Sequence, residues 1–345
     1  MPLVTTIRVQ HIRIHASYSV DILPSTTVIT GVNGSGKTSL IEALYIALQG
    51  TSFKGADNDV LQTGAPWYRI DIHFDDGSVR TVKFDPQRVS GKKQFIINET
   101  TQYRMLPRHK HPVVLFEPDD LRLLNGSPSR RREYIDRLIT QLDPQYGQAL
   151  RKYDRALKQR NNLLKQATVS PDELFVWDMV LSEHGAYIIA RRDYFIKMID
   201  QQLNEVYNKI ADSVDVVSIK YPHGSITKQK LLSELHSASY RDMLVGFTSV
   251  GPHRHDVVFT YNSSPALAIA SRGEVRSIML ALKFIEVDIL ERVLSTKPII
   301  LLDDVFSELD ASRQEHLVHN FKDNQVIITS ATSEDTAHKV HIDKR

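Results

Sequence analysis

A glycine-rich stretch near the start of the chain has the residue types of a phosphate-binding loop. Residues 31–38 read GVNGSGKT and fit the pattern G-x-x-x-x-G-K-[ST]. The glycines let backbone N–H groups converge on phosphate oxygens, and the start of a following helix adds positive potential. We expect Lys37 to reach the β- and γ-phosphates of a nucleotide and Thr38 to bind Mg²⁺. The predicted cradle comprises Gly31, Val32, Asn33, Gly34, Ser35, Gly36, Lys37, Thr38 and Ser39.

Two adjacent carboxylates far along the chain are the second group of residues suited to this chemistry. Asp303 and Asp304 follow the apolar run Ile299–Leu302, which reads as a buried strand. Ligands collect at the carboxyl ends of such strands. Asp303 is expected to hold Mg²⁺, directly or through water, as a Walker B aspartate does. Asp304 either orients or deprotonates the attacking water, or binds a water of the Mg²⁺ ion.

The elements that must position these residues are readable from the pattern around them. A short β-branched run, Thr26–Thr30, precedes the loop, and a helix is expected to open at Ser39. Alternating residues on either side of the turn at 75–77 predict a β-hairpin. In the middle of the chain, helix N-caps are expected at Ser127, Asp143 and Ser170, each followed by Pro. Other predicted elements are the long helix from Ser170 to about Ile210, the helices 278–294 and 311–321, and the strand 325–330.

This order of elements predicts an α/β protein built in two lobes. The chain is β-rich at first, then helical, then α/β again. The simplest architecture is an ATP-binding head made from both chain ends, residues 1–120 and 245–345, which has a mixed sheet with helices. A mostly helical lobe, residues 121–244, is inserted between them.

Charge and composition narrow the class of partner. The chain has 345 residues, no Cys and a net charge of +2. Residues 121–165 carry eleven Lys and Arg against four Asp and Glu, so a polyanion partner is worth considering. The first residues have no uninterrupted apolar region of a secretion signal, and no apolar run is long enough to span a bilayer. We therefore expect a cytoplasmic protein without a membrane partner.

Four motifs together give the sequence its resemblance to a known class. The P-loop, an S-R-G-E segment at 271–274, the acidic strand end and an S-x-L-D segment at 307–310 occur in the order of an ABC-type ATPase head. Within that class the chain resembles the RecF family of bacterial DNA repair and recombination proteins, which are related to the heads of SMC and Rad50 proteins. The resemblance covers nearly the whole chain, and its matching stretches are 31–55, 114–132, 158–166, 250–256, 271–286 and 301–310.

The resemblance implies a nucleotide site that two subunits complete together. Two subunits sandwich two ATP molecules, each held on the P-loop of one copy and capped by the S-R-G-E segment of the other. Departures from the family pattern are Glu274 where Gln is frequent, Phe116-Glu117-Pro118 where a Gln is usual, and Thr329-Ser330 where a switch His is usual. The implied nucleotide contacts beyond the P-loop are Ser271, Arg272, Gly273, Glu274, Asp310 and Arg13, with Glu117 as a further Mg²⁺ ligand.

The resemblance also implies a function in DNA repair, replication and recombination, including the SOS response to DNA damage. It implies a weak, DNA-stimulated ATPase that forms an ATP-dependent homodimer on double-stranded DNA and at junctions of single- and double-stranded DNA. The same resemblance implies that the protein promotes recombinase loading with the mediator proteins RecR and RecO. It also implies that slow hydrolysis of ATP resets the protein. Arg130, Arg131 and Arg132 are the arginines it suggests for DNA contact.

Two other classes of function remain open at this point. The ATPase subunit of a transporter would need a membrane partner, a Q-loop Gln and a switch His. A P-loop kinase for a small metabolite would be monomeric and would need no S-R-G-E segment. His253, in Gly251-Pro252-His253-Arg254, is compatible with either catalysis or a plain turn before a strand.

Overall fold

A computed structural model describes residues 1–166, 170–306, 309–331 and 339–342 of the chain. The strands are β1 Val4–Ile12, β2 His15–Asp21, β3 Thr26–Gly31, β4 Tyr68–Phe74, β5 Val79–Phe84, β6 Lys93–Ile97, β7 Thr100–Gln102, β8 Val113–Phe116, β9 Val217–Lys220, β10 Val258–Tyr261, β11 Ser264–Pro265, β12 Ile299–Asp303, β13 Val326–Ser330 and β14 Lys339–Ile342. The helices are α1 Lys37–Gln49, α2 Asp57–Val60, α3 Pro128–Leu142, α4 Pro144–Leu163, α5 Pro171–Ala211, α6 Lys228–Val245, α7 Ala266–Ile269, α8 Arg272–Leu294 and α9 Ala311–Phe321. The segments Pro107–His109 and Pro118–Arg122 are 3₁₀-helical.

By spatial grouping the chain divides into two compact units. One contains residues 1–120 and 286–345, and the other contains residues 121–285. Residues 245–285 therefore group with the inserted segment, whereas the sequence pattern assigns them to the ATP-binding head. The assignment of these residues to a functional lobe stays a prediction.

The first unit contains two sheets of different kinds. A six-stranded antiparallel sheet has the order β2-β1-β4-β5-β6-β7. A five-stranded sheet has the order β14-β3-β13-β12-β8, and all of its strands are parallel. The apolar runs of β12 and β13 lie at its centre, as expected for strands buried on both faces.

Helix α1 shares its core with both of these sheets. Twelve of its thirteen residues are buried, and its apolar residues cluster with side chains of β1, β4, β12 and β13. A helix that is apolar on every side belongs inside a core, which explains why no polar face is seen in its sequence. Because α1 is so tightly held, the loop that precedes it is fixed at both ends.

The second unit consists of helices and a small antiparallel sheet, β11-β10-β9. Its helix starts confirm the predicted caps. Ser127 and Asp143 accept hydrogen bonds from backbone N–H groups of α3 and α4. At the start of α5, the side chain of Ser170 and that of Glu173 form a capping box. Helix α5 then runs for 41 residues and ends one residue after the predicted end.

Two local expectations were wrong, and each has a local cause. In the sequence, Ile7, Val9, Ile12 and Ile14 alternate with polar residues and predict half-buried strands, but the chain turns at Arg13, whose φ is 51°, between β1 and β2. Ile14 is consequently exposed. The helix expected at 278–294 begins at Arg272, six residues earlier, since Ser271 caps it.

Candidate functional site

The loop between β3 and α1 has the backbone conformation that its glycines permit. Gly34 and Gly36 have φ values of 82° and 92°, in the left-handed region that favours glycine. A Cβ at Gly36 would collide with the imidazole ring of His15. The hydroxyl of Ser35 is buried and has no hydrogen-bond partner among the described residues. A buried polar atom of this kind inside a glycine loop fits a site that receives a phosphate oxygen.

The ammonium of Lys37 is folded back on the loop. It donates hydrogen bonds to the carbonyl oxygens of Gly31, at 2.6 Å, and Val32, at 3.1 Å. The side chain is only 7% exposed, so its charge is held close to the loop backbone. A bound phosphate would compete with these two carbonyls for the same ammonium, and the contact of Lys37 with a nucleotide stays a prediction.

Four side chains meet between the start of α1 and the end of β12. The hydroxyl of Thr38 donates to Oδ1 of Asp303 over 2.7 Å, and that of Thr329 donates to the same oxygen over 3.0 Å. The ammonium of Lys54 lies 3.3 Å from Oδ2 of Asp303. Asp303 is 2% exposed, so its charge is compensated by these neutral and charged donors instead of by water. A hydroxyl and a carboxylate at this spacing are the two protein oxygens that a Mg²⁺ ion shares with nucleotide phosphates.

Asp304 leaves the strand through an unusual backbone conformation. Its φ is 53°, in a region that Asp tolerates better than most residues. Its N–H donates to the carbonyl oxygen of Thr329, at 3.2 Å, and to the hydroxyl of the same residue, at 3.0 Å. The turn therefore ends β12 immediately after Asp303. The role of Asp304 as base or as ligand of a metal-bound water stays a prediction.

Arg13 is tied to the P-loop helix. Its guanidinium donates to both carboxylate oxygens of Glu42 at 3.0 Å, and the hydroxyl of Ser52 donates to Glu42 at 2.6 Å. Hydrogen bonding to Glu42, which is 1% exposed, holds the pKa of Arg13 above its ordinary value. Two of the nitrogens of Arg13 are thus already engaged, and its predicted contact with the nucleotide stays a prediction.

Two further predicted residues lie at the carboxyl edge of the parallel sheet. Glu117 follows β8, whose Phe116 pairs with Leu302, so Glu117 comes at the level of Asp303. Ser330 ends β13 and pairs with Thr30 of β3. Sheet register therefore brings both to the edge that holds the P-loop, while the assignment of Glu117 as a Mg²⁺ ligand is untested.

Asp310 is the N-cap of α9. Its Oδ1 accepts from the N–H of Arg313 at 3.0 Å, and its other oxygen pairs with the Arg313 guanidinium. Ser307 and Glu308 of the predicted S-x-L-D segment lie outside the described residues. The expected nucleotide contact of Asp310 stays a prediction.

In the second unit, the S-R-G-E segment begins α8 with a capping box. The N–H of Ser271 donates to Oε2 of Glu274 at 2.5 Å, and the N–H of Glu274 donates to the hydroxyl of Ser271 at 3.3 Å. Ser271 and Arg272 are exposed. The preceding helix α7 also exposes Leu267 and Ile269, by 62% and 50%. This segment therefore presents a helix N-terminus and apolar side chains to the outside of its unit.

The three predicted DNA arginines begin α3 and differ in their surroundings. Arg131 forms a bidentate pair with Asp256, at 2.8 Å for each bond, and also donates to the carbonyl oxygen of Gly126. Arg132 donates to the carbonyl oxygen of His255 at 2.8 Å, and burial lowers its pKa. Arg130 is half-buried. These bonds fasten the start of α3 within its own unit, and the DNA contact of all three arginines stays a prediction.

Not all of the basic residues of segment 121–165 contribute to a surface. Arg160 is fully buried, and its guanidinium donates to Asp178 at 2.6 Å and to Asp242 at 2.8 Å. Four others are exposed on α4 and form no ion pair with any described residue. These four, named the α4 basic face, are Arg151, Lys152, Arg155 and Lys158.

His253 has both ring nitrogens engaged within the unit. Nδ1 lies 2.7 Å from the Tyr153 hydroxyl and Nε2 lies 3.0 Å from the carbonyl oxygen of Thr248. Burial lowers the pKa of His253 to about 4. These contacts favour the structural interpretation of His253 over the catalytic one.

Sequence reasoning missed several residues that the site brings together. Lys54 lies within the stretch 31–55 that resembles the family, and His15 lies outside the matching stretches. Nothing in their spacing reveals the contact of Lys54 with Asp303 or that of His15 with Gly36. Thr329 was noted only as a departure from a switch His. The parallel register that pairs Thr329 with Asp303 explains its position, and such a register is not visible in either strand alone.

A parallel sheet in which β3 leads into a glycine loop, with a helix behind the loop and a carboxylate beside it, defines a P-loop ATPase head. The family model described as RecF/RecN/SMC N terminal domain matches residues 3–343. A DNA replication and repair protein RecF of Lachnoclostridium phytofermentans is 31% identical over an alignment of 346 positions that covers 95% of this chain and 92% of the relative. One of Streptococcus suis is 34% identical, with 97% and 94% covered.

A solved structure gives the same result. The structure of the recombination mediator protein RecF-ATP in the RecFOR pathway superposes with a TM-score of 0.86 at 27% identity, covering 97% of this chain and 94% of that one. The chain belongs to the RecF family.

Within the described ranges, none of the helices combines the length and the apolar character needed to cross a bilayer.

Proposed function

We propose that this chain is an ATP-dependent DNA-binding protein of recombinational repair. Two copies sandwich two ATP molecules, and the resulting dimer clamps double-stranded DNA near single-strand gaps. It promotes recombinase loading together with the mediator proteins RecR and RecO, and slow, DNA-stimulated hydrolysis of ATP resets it.

The observation that carries the nucleotide part is the contact between Thr38 and Asp303. It joins the loop to the strand end at 2.7 Å, although the two residues are 265 positions apart in the chain. Lys37, Thr38 and Asp303 then supply an ammonium, a hydroxyl and a carboxylate to a nucleotide triphosphate and its Mg²⁺, which contributes charge neutralisation when bound. Asp304 is placed one residue further, where it orients or deprotonates a water.

The exposed start of α8 supports the dimer part. The helix N-terminus at Ser271 favours an anion, and the hydroxyl of Ser271 still has a hydrogen to donate. Leu267 and Ile269 beside it are large apolar side chains left at the surface, which is typical of a face that docks another chain. The occupant that fits an anion site with apolar neighbours here is a second copy carrying ATP on its P-loop.

The α4 basic face supports the DNA part. Arg151, Arg155 and Lys158 recur at spacings of four and three, so they lie on one side of α4, and Lys152 lies beside them. Cations that are exposed and unpaired are free to neutralise phosphates without reading bases. This face is a better candidate for DNA contact than Arg131, whose guanidinium is already paired with Asp256.

One experiment tests these parts together. Sedimentation velocity and the fluorescence anisotropy of labelled duplex DNA are measured with ATP, with ADP and without nucleotide. Dimers and tight DNA binding with ATP alone support the proposal. A protein that stays monomeric in all three conditions, or one that binds DNA equally well in each, contradicts it.

A further inference from the structure

The carboxylate of Glu274 has a second partner besides Ser271. The hydroxyl of Tyr261, in β10, lies 2.9 Å from Oε1 of Glu274 and 2.6 Å from Oδ2 of Asp215. Two carboxylates from different parts of the second unit therefore meet at one tyrosine. Tyr261 is 5% exposed, so its ring is held within the unit, while Asp215 and Glu274 are half-buried.

A tyrosine hydroxyl has only one hydrogen, which serves one carboxylate at a time. Asp215 has two other donors, the hydroxyl of Ser213 at 2.9 Å and the side-chain amide of Asn262 at 2.8 Å. Glu274 accepts a hydrogen bond from the N–H of Ser271 and competes with Asp215 for the hydrogen of the Tyr261 hydroxyl. The hydrogen bonds from Ser271 hold the pKa of Glu274 below its ordinary value, and those from Tyr261 do the same for Asp215. Both groups are ionised at neutral pH.

The negative charge of Glu274 is thus held next to the place where an anion is expected to dock. Its Oε2 accepts the N–H of Ser271, and its own N–H binds the hydroxyl of the same residue. An acid in the first turn stabilises its own helix by occupying part of the positive end of the helix dipole. The same charge repels a second anion that approaches that end.

We propose that Glu274 is a positioning residue that limits how tightly the start of α8 grips the γ-phosphate of a nucleotide carried by a second copy. Its hydrogen bonds hold Ser271 in place, while its charge opposes the triphosphate and keeps the ATP-bound dimer reversible. The inference rests on the proposed function, because it requires the second copy to present its nucleotide to Ser271.

Two substitutions separate the two effects. Glu274→Gln removes the charge and keeps one oxygen, which can still accept from the N–H of Ser271, while an NH2 group replaces the oxygen that faces Tyr261. Glu274→Ala removes both the charge and the acceptor. Glu234→Gln, at an exposed position of α6, changes the net charge equally and serves as the control. The dissociation constant of the dimer is measured for each by sedimentation velocity with ATP and with ADP.

The expected result is that Glu274→Gln tightens the ATP-dependent dimer by about threefold per site, or roughly tenfold for two equivalent sites. Glu274→Ala is expected to form a weaker ATP-dependent dimer than Glu274→Gln, and Glu234→Gln is expected to match the parent. If the parent dimerises with ATP but Glu274→Gln does not tighten the dimer, the inference alone is overturned. If the parent never dimerises with ATP, the proposed function fails and the inference fails with it.

Discussion

Thr38, in the first turn of α1, donates its hydroxyl hydrogen to Asp303, the last residue of β12, over 2.7 Å. This bond connects the phosphate-binding loop to the carboxylate that the loop needs. Because Asp303 is buried, its oxygens depend on Thr38, Thr329 and Lys54 for compensation. The candidate nucleotide site is therefore organised by the protein's own side chains.

Replacing Thr38 by Val removes this donor while keeping the shape of the side chain. Asp303 then loses one of its hydrogen bonds, and we expect the free energy of unfolding to fall by ~1–3 kcal/mol. Nucleotide affinity should also lose most of its dependence on Mg²⁺, because the hydroxyl ligand is gone. Urea denaturation and nucleotide titrations with and without Mg²⁺ measure both effects. Thr38→Ser, which keeps the hydroxyl, should behave like the parent; equal losses in Ser and Val would contradict this role.

Replacing Lys37 by Ala removes the ammonium that the loop holds over its own carbonyls. We expect the affinity for ATP to fall by about 100-fold or more, since a charge-assisted contact with the β- and γ-phosphates is lost. A fluorescent ATP analogue reports the affinity, and circular dichroism checks that the fold persists. Lys54→Ala, at a residue that pairs with Asp303, should reduce affinity less. Retention of parental affinity in Lys37→Ala would argue against a phosphate site at this loop.

The α4 basic face is expected to set the salt dependence of DNA binding. Changing Arg151 and Lys158 together to Gln should lower the slope of log K against log salt by about 1.8, if each cation neutralises one phosphate of duplex DNA. Anisotropy titrations at several salt concentrations, with ATP present, measure that slope. Since Arg131 is paired with Asp256, Arg131→Gln should reduce the free energy of unfolding and leave the salt slope close to that of the parent. An unchanged slope in the double variant would place the DNA elsewhere.

Acid should destabilise the second unit through its half-buried histidines His253 and His255. Burial lowers the pKa of His253 to about 4 and that of His255 to about 3, below the ordinary value of about 6.5. As the pH falls from about 6.5 to 4, the unfolded chain binds protons that the folded chain does not, so the stability of the folded state decreases. Above pH 6.5 both states hold neutral rings, and this contribution is fully present. Chemical denaturation at several pH values measures the effect.

The matched variants for this titration are His255→Gln and His236→Gln. His255 is half-buried and its ring stacks on that of His223 at 3.8 Å, whereas His236 is exposed on α6. The first change should flatten the dependence of stability on pH, and the second should leave it as it is. Equal slopes in the two variants would show that the ring of His255 does not cause the loss of stability in acid.

The parts of the fold that were predictable from sequence are those with a local cause. The helix at 311–321 was expected with both of its ends, and the caps at Ser127, Asp143 and Ser170 were expected from single side chains next to Pro. The P-loop was readable because its glycines and Lys37 act within eight residues. The S-R-G-E segment was found as a motif, but its capping box was not foreseen.

The parts that were not predictable depend on pairs of residues far apart in the chain. Arg160 counted as a surface charge in the sequence, yet it is buried between Asp178 and Asp242, which come from α5 and α6. Thr329 reaches Asp303 only because β12 and β13 are paired in a particular parallel register. In the same way, Tyr261 and Asp215 are adjacent to Glu274 through the folding of the second unit. A single sequence shows the residue types but not these partners.

The central claim is that Lys37 and Ser271 complete one ATP site from two copies of the chain. The most direct test is to mix two inactive variants, Lys37→Ala and Ser271→Arg, and measure ATP-dependent dimers and ATP turnover. A mixed dimer has one site with both groups intact, whereas neither variant alone has any. Chains that pair at random give half mixed dimers with one intact site each, or a quarter of the parental sites, and the account predicts recovery of at least roughly that fraction because only mixed dimers hold an intact site. No recovery on mixing, with each variant folded, would contradict it.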